Sequence, residues 1–139
     1  MIDNHHSPPL RKAACRCGQL SAICSGEPVR ISACHCLACQ QRTGSAFAVQ
    51  ARYRAEDVRV EGQSRQWVRT TDSGHETTYH FCPNCGSTVW YQGRPLRNAI
   101  AIPVGAFADP GFPPPRFSVW EKRKHSWVTI SGDEVEHSE

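Results

Sequence analysis

Eight cysteines in 139 residues, seven of them in three tight groups, constrain this chain more than any other feature. Cys15-Arg16-Cys17-Gly18 is a C-x-C-G element. Cys34-His35-Cys36-Leu37-Ala38-Cys39 is C-x-C-x-x-C, and Cys82-Pro83-Asn84-Cys85-Gly86 is C-P-x-C-G. Two cysteines flanking two residues and followed by glycine form a zinc knuckle. The turn aims both sulfurs at one ion, proline helps fix that turn, and glycine permits a left-handed backbone. A structural zinc takes four ligands in a tetrahedron. Cys82 and Cys85 supply two, and Cys15 with Cys17 is their natural complement, which predicts a closed four-thiolate site. Such a site drives folding directly, with about 10–16 kcal/mol apparent in zinc-finger peptides.

Cys34, Cys36 and Cys39 lie within six residues, so local geometry lets all three meet a second ion. Three protein ligands leave one position open, the mark of a reactive zinc. The alternative is a closed site completed by a distant His80, His125 or Cys24. One Zn²⁺ on three thiolates carries a net charge of about −1, which makes it a weaker acidifier of bound water than a neutral three-histidine site. A soft fourth ligand, such as a substrate thiolate, suits it. The cluster therefore points to thiol chemistry more than to hydrolysis. His35 sits between two ligands and on a strand would point away from the metal. Cys24 has no metal-spaced neighbour and reads as a small buried core residue.

Clustered cysteines bind metal or do chemistry in the reducing cytosol, and the polar start of the chain lacks the apolar run of a secretory signal. Together these predict a cytoplasmic protein. No stretch approaches the roughly 20 apolar residues of a membrane span. The formal charge of +3 falls to zero once seven thiolates and two Zn²⁺ are counted, which weighs against a nucleic-acid partner.

The length suggests one domain, and the patterning is mostly β. Short runs bounded by turn residues predict strands over 19–24, 29–34, 47–53, 58–60, 66–70, 77–81, 88–91, 98–104, 117–120 and 127–130. Asp72-Ser73-Gly74 is a hairpin signal, and Leu37 to Arg42 is one helical turn. The reading is an all-β single domain of coiled sheets organised around two zinc sites, over 13–131. A disordered tail precedes it over 1–12 and an acidic, frayed tail follows over 132–139.

At these residues the chain resembles the glutathione-dependent formaldehyde-activating enzyme family, which includes the centromere protein V-like domains. The resemblance runs from about Ala14 to Val128. It rests on the three cysteine groups in this order, on Arg42-Thr43-Gly44-Ser45-Ala46-Phe47, on Phe81 and Ser87 around the third group, on Val104-Gly105 with Asp109-Pro110, and on Trp127. It implies a structural zinc at Cys15, Cys17, Cys82 and Cys85 and a catalytic zinc at Cys34, Cys36 and Cys39. It also implies carbon–sulfur lyase chemistry on S-hydroxymethylglutathione, formed from glutathione and formaldehyde. A glutathione-like thiol carries carboxylates, so Arg42, Arg52 and Arg54, which follow the central cluster, are candidates to position it. Thr43-Gly44-Ser45 offers either an anion-binding turn or an ordinary loop, and Phe47 and Trp127 are candidate pocket walls. The competing reading is a zinc-stapled, non-catalytic module that binds a protein or nucleic acid.

Overall fold

The structure, a computed structural model, describes residues 7–71, 74–93 and 98–139. β-branched and aromatic residues spaced between turn residues favour strands over helices, and the described residues form a mostly β single domain with one α-helix. The strands are β1 (Leu10–Ala14), β2 (Ser21–Ser25), β3 (Arg30–Cys34), β4 (Ala48–Arg54), β5 (Val58–Glu61) and β6 (Arg65–Thr70). They continue with β7 (Glu76–Phe81), β8 (Thr88–Gly93), β9 (Ala99–Pro103), β10 (Phe117–Val119) and β11 (Glu136–His137). The helix α1 (Leu37–Thr43) lies between β3 and β4. No described helix is long and apolar enough to cross a membrane.

Two sheets result, with no closed barrel among the described residues. The smaller has the order β1-β2-β5 and the larger β11-β10-β3-β4-β9-β8-β7-β6. Neighbours are antiparallel except that β10 runs parallel to both β3 and β11. β6 and β7 pair from Arg65↔Phe81 to Thr70↔Glu76, as the hairpin reading expects; Asp72 and Ser73 of its turn lie outside the described residues.

Three expectations need correcting. Residues 10–12, placed in a tail, belong to β1. β1 pairs along its whole length with β2, and Arg11 is anchored to Glu27 at 3.3 Å. Residues 1–6 lie outside the description. The acidic C-terminal tail is docked rather than frayed. β11 pairs with β10, Arg116 holds Glu134 at 2.9 Å, and His137 Nδ1 lies 2.6 Å from Glu121. Residues 127–130 form no strand: Val128 N–H closes a turn onto His125 C=O and Trp127 stands 73% exposed, so one apolar residue is buried where a strand would bury a face.

The period-2 geometry of strands separates core from site. On β3, β4 and β9 one face sends Ile31, Ala51, Tyr53, Ile100 and Ile102 into the core, where they join Leu20, Ala22 and Cys24. The opposite face of the same strands carries Ser32, Cys34, Gln50, Arg52 and Ala101, which line an open cavity. Full burial of residues such as Leu20 and Ile102 stabilises the fold by roughly 1.5–3 kcal/mol each.

Candidate metal centres and an arginine-lined cavity

Cys15 and Cys17 lie in the β1–β2 connection, and Cys82 and Cys85 in the β7–β8 connection. Each turn is closed by a glycine N–H. Gly18 N–H donates to Cys15 C=O at 3.0 Å and Gly86 N–H to Cys82 C=O at 2.9 Å, with glycine φ of +88° and +81°. Added side chains would be strained at both positions.

The four sulfurs lie within 4.8 Å of one another. Cys15 Sγ is 3.6 Å from Cys17 Sγ, which is 3.7 Å from Cys82 Sγ. A tetrahedron with Zn–S bonds of about 2.3 Å has edges of about 3.8 Å, so the group fits a zinc ion. Leu20 N–H donates to Cys15 Sγ, and Asn84 N–H and the Gln19 side-chain amide donate to Cys82 Sγ. Hydrogen bonds from Ser87, backbone first, hold the Cys85 thiol down at about 5. These donors favour the thiolate form that a metal requires.

The second group is built by a strand end and a helix start. Cys34 closes β3, Cys36 caps α1, and Cys39 follows within the first turn, its N–H donating to Cys36 Sγ at 3.3 Å. Hydrogen bonds from the thiols of Cys34 and Cys39 push Cys36 down to about 2. Cys34 is pushed up by Cys36 and Cys39. Cys39, lowered by Cys34 but raised by Cys36 and burial, also ends above its usual range. Three sulfurs this close ionise together only with a cation between them, which is the donor chemistry of a soft metal site.

Among the described residues no fourth histidine, cysteine or carboxylate joins this group. His80 stacks on Trp90 at 3.6 Å and meets Ser64 Oγ at 3.2 Å. His125 meets Gln40 Oε1 at 2.8 Å. Cys24 is buried in β2, and burial pushes its thiol up to about 12. His35 is buried behind the ligands, its Nε2 2.9 Å from Ser118 Oγ and its ring 5.7 Å from that of Phe47.

Cys34, Cys36 and Cys39 open on a cavity of about 750 Å³. Arg30, Arg42, Arg52 and Arg69 line it with Tyr79 and Tyr91. Arg42 lies one helical turn beyond Cys39, on the same face of α1, and its guanidinium sits 4.8 Å from the Tyr79 ring and 4.9 Å from the Tyr91 ring. Arg52 donates to Ser32 Oγ at 3.2 Å. Arg54 does not reach the cavity. It shares the strand face of Arg52, but at the exposed end of β4 it turns to Glu56 and Asp57, at 3.6 and 3.1 Å. Phe47 and Trp127 do not line the cavity either. Thr43 to Ser45 form a helix cap, with Gly44 left-handed and Ser45 N–H donating to Thr43 Oγ1.

Arg30, Arg69 and the two tyrosines escape the sequence reading. Arg30 had a usable signal, because it alternates with Ser32 and Cys34 on one face of β3. Arg69 reaches the cavity only through the long-range placement of the β6–β7 hairpin.

A mostly β domain whose two cysteine clusters suit metal ions, one closed and one facing a cationic cavity, defines the class. Residues 10–123 match the family described as "Glutathione-dependent formaldehyde-activating enzyme", and the chain belongs to it. No curated protein matches the chain. A solved structure from Rhodobacter sphaeroides, a structural-genomics target, shares the fold at 23% identity and a TM-score of 0.54, covering 74% of this chain and 91% of that one.

Proposed function

We propose that this protein is a zinc-dependent carbon–sulfur lyase of the S-hydroxymethylglutathione synthase type, joining a small glutathione-like thiol to formaldehyde or a related aldehyde. The observation that carries the reading is the three-cysteine cluster at the wall of an arginine-lined cavity. Family membership supports the substrate pair of glutathione and formaldehyde. Cys15, Cys17, Cys82 and Cys85 would hold a structural zinc, and Cys34, Cys36 and Cys39 a catalytic one. At the second site, the ion would supply Lewis acidity or a soft thiolate-binding position.

The chain's own residues bind and orient. Arg42 and Arg52 present guanidiniums for substrate carboxylates, and the tyrosine pair keeps Arg42 from swinging out. Tyr91 is pushed up by burial and stays a neutral donor, its hydroxyl on Gln50 Oε1 at 3.1 Å. In the forward reaction the thiol loses its proton, its sulfur bonds to the carbonyl carbon, and the proton ends on the former carbonyl oxygen.

NMR exchange spectroscopy of glutathione, formaldehyde and their hydroxymethyl adduct tests the proposal, with the zinc-loaded protein compared against a protein-free sample and Cys36→Ser. Exchange accelerated only by the intact cluster supports it. Exchange no faster than the spontaneous reaction, with two zincs bound, refutes it.

A further inference from the structure

We infer that the cavity continues into a second subsite, one that takes an aromatic ring carried by the ligand. The ring's attachment to a thiol adduct rests on the lyase reading above, while the subsite itself stands on the geometry of the sheet.

Strand pairing lays one row of side chains across six strands of the larger sheet. Arg30 on β3 lies opposite Arg52 on β4, Arg52 opposite Ala101 on β9, and Ala101 opposite Tyr91 on β8. Tyr91 in turn lies opposite Tyr79 on β7, and Tyr79 opposite Trp67 on β6. Cross-strand partners share a face, so the row is cationic at one end and aromatic at the other. Its five strand steps of about 4.8 Å span about 24 Å.

The aromatic end is open. Tyr79 and Tyr91 are buried, but Trp67, on the edge strand, is 53% exposed even though its ring stacks on Tyr79 at 5.6 Å, with 24° between the planes. A cavity of about 470 Å³ lies there, lined by Trp67, Tyr79 and Phe81 together with Arg42 and Arg69. Arg42, Arg69 and Tyr79 also line the cavity of the central cluster, so the two spaces adjoin. No described cysteine lines the smaller space, which leaves it to a substituent rather than to the reacting atoms.

The lining selects the occupant. Three aromatic side chains and two guanidiniums surround this space, and no described carboxylate lines it. An aliphatic group would gain burial alone, and a small anion would leave the ring faces bare. An aromatic ring gains both stacking against the indole and a guanidinium over its face. Formaldehyde has a single carbon and glutathione has no ring, so the ring belongs to a larger aldehyde or to a substituted thiol.

Thioether probes test the subsite, because they carry no thiol to react. Calorimetric titration of the zinc-loaded full chain would compare S-methylglutathione, S-benzylglutathione and S-(cyclohexylmethyl)glutathione. The benzyl compound is expected to bind roughly three- to tenfold tighter than the methyl one, and tighter than the cyclohexylmethyl one. Trp67→Ala should bring the benzyl-to-methyl ratio down to about one, and Trp67→Phe should keep part of it. A cyclohexylmethyl group that binds as tightly as benzyl overturns the inference, and so does a ratio that survives Trp67→Ala. A Trp67-dependent dimer in size-exclusion chromatography also overturns it, since a second copy would then cover the indole. The ligand series on the unmutated protein decides the question even if a variant fails to fold. As a probe without sulfur or peptide, 3-phenylpropionate separates this inference from the lyase reading. If it binds through Trp67 while no glutathione thioether does, the glutathione-like thiol falls and the subsite stands. If no probe binds at millimolar concentration, the subsite falls.

Discussion

Severing the closed cluster should destabilise the fold about twice as much as severing the open one. A metal held by the closed cluster would link residues far apart in the chain, Cys17 and Cys82 being 65 residues apart. A cross-link over such a loop removes about 4 kcal/mol of chain entropy from the unfolded state. Cys34 to Cys39 closes only a six-residue loop, for which the same relation yields about 2 kcal/mol. The cleanest perturbation of the first is Cys17→Ser with Cys85→Ser, since both thiols are exposed and little packing is lost. The matching pair for the second is Cys36→Ser with Cys39→Ser. Urea unfolding of the metal-loaded proteins, followed by tryptophan fluorescence with metal content checked in each, would measure both losses. The first variant should lose about 2 kcal/mol more than the second, with an unchanged urea slope. Equal losses, or a larger one for the central pair, would refute the division into a long-range staple and a local site.

Three further outcomes are expected. Gly62→Ala should lose on the order of 3 kcal/mol in the same assay, because the new Cβ would lie 2.0 Å from the Gln19 carbonyl oxygen at φ +100°, and Gln19 in turn holds Cys82. Arg42→Gln should raise KM for the thiol roughly 10- to 100-fold, the loss of one charge-assisted hydrogen bond, while Arg54→Gln, already ion-paired on the surface, should stay within about twofold. Burial raises the Glu121 carboxyl, but hydrogen bonds from His137 and Ser118 outweigh it and leave its pKa below the usual value of 4.5. Its stabilisation is therefore present above that value and lost as pH falls through the lowered one. The stability gap between the unmutated protein and Glu121→Gln, measured in urea, should be steady above pH 5 and shrink towards pH 3.

The cysteine groups are legible in the sequence because a knuckle is a local object: three or four residues define the turn, and glycine closes it. Most strands are legible for the same reason. β1 is not, because Leu10-Arg11-Lys12 reads as a charged start, and only pairing with β2 makes it a strand. β11 is equally hidden, two residues long and acidic, held by parallel pairing with β10. The cavity is half legible. Arg42 and Arg52 are found because they follow the central cluster closely in the chain. The same reasoning carried on to Arg54 fails at the strand end, where Glu56 and Asp57 offer nearer partners. Arg69 and the tyrosine pair depend on the register of the β6–β7–β8 meander, which no local signal encodes.

The closed cluster serves the cavity without facing it. None of its sulfurs lines the cavity, yet Cys82 and Cys85 sit in the connection between β7 and β8. Those strands bring Tyr79 opposite Tyr91, with ring centroids 4.9 Å apart, and the two rings flank the Arg42 guanidinium. The register shifts between His80 and Phe81, immediately before the knuckle. A bulge beside a turn re-aims side chains, so the turn's geometry sets where the tyrosines stand relative to α1. Cys15 and Cys17 tie that turn to the smaller sheet, while Cys34, Cys36 and Cys39 start the helix that delivers Arg42. One cluster thus fixes the wall against which Arg42 packs, and the other fixes the helix that carries it.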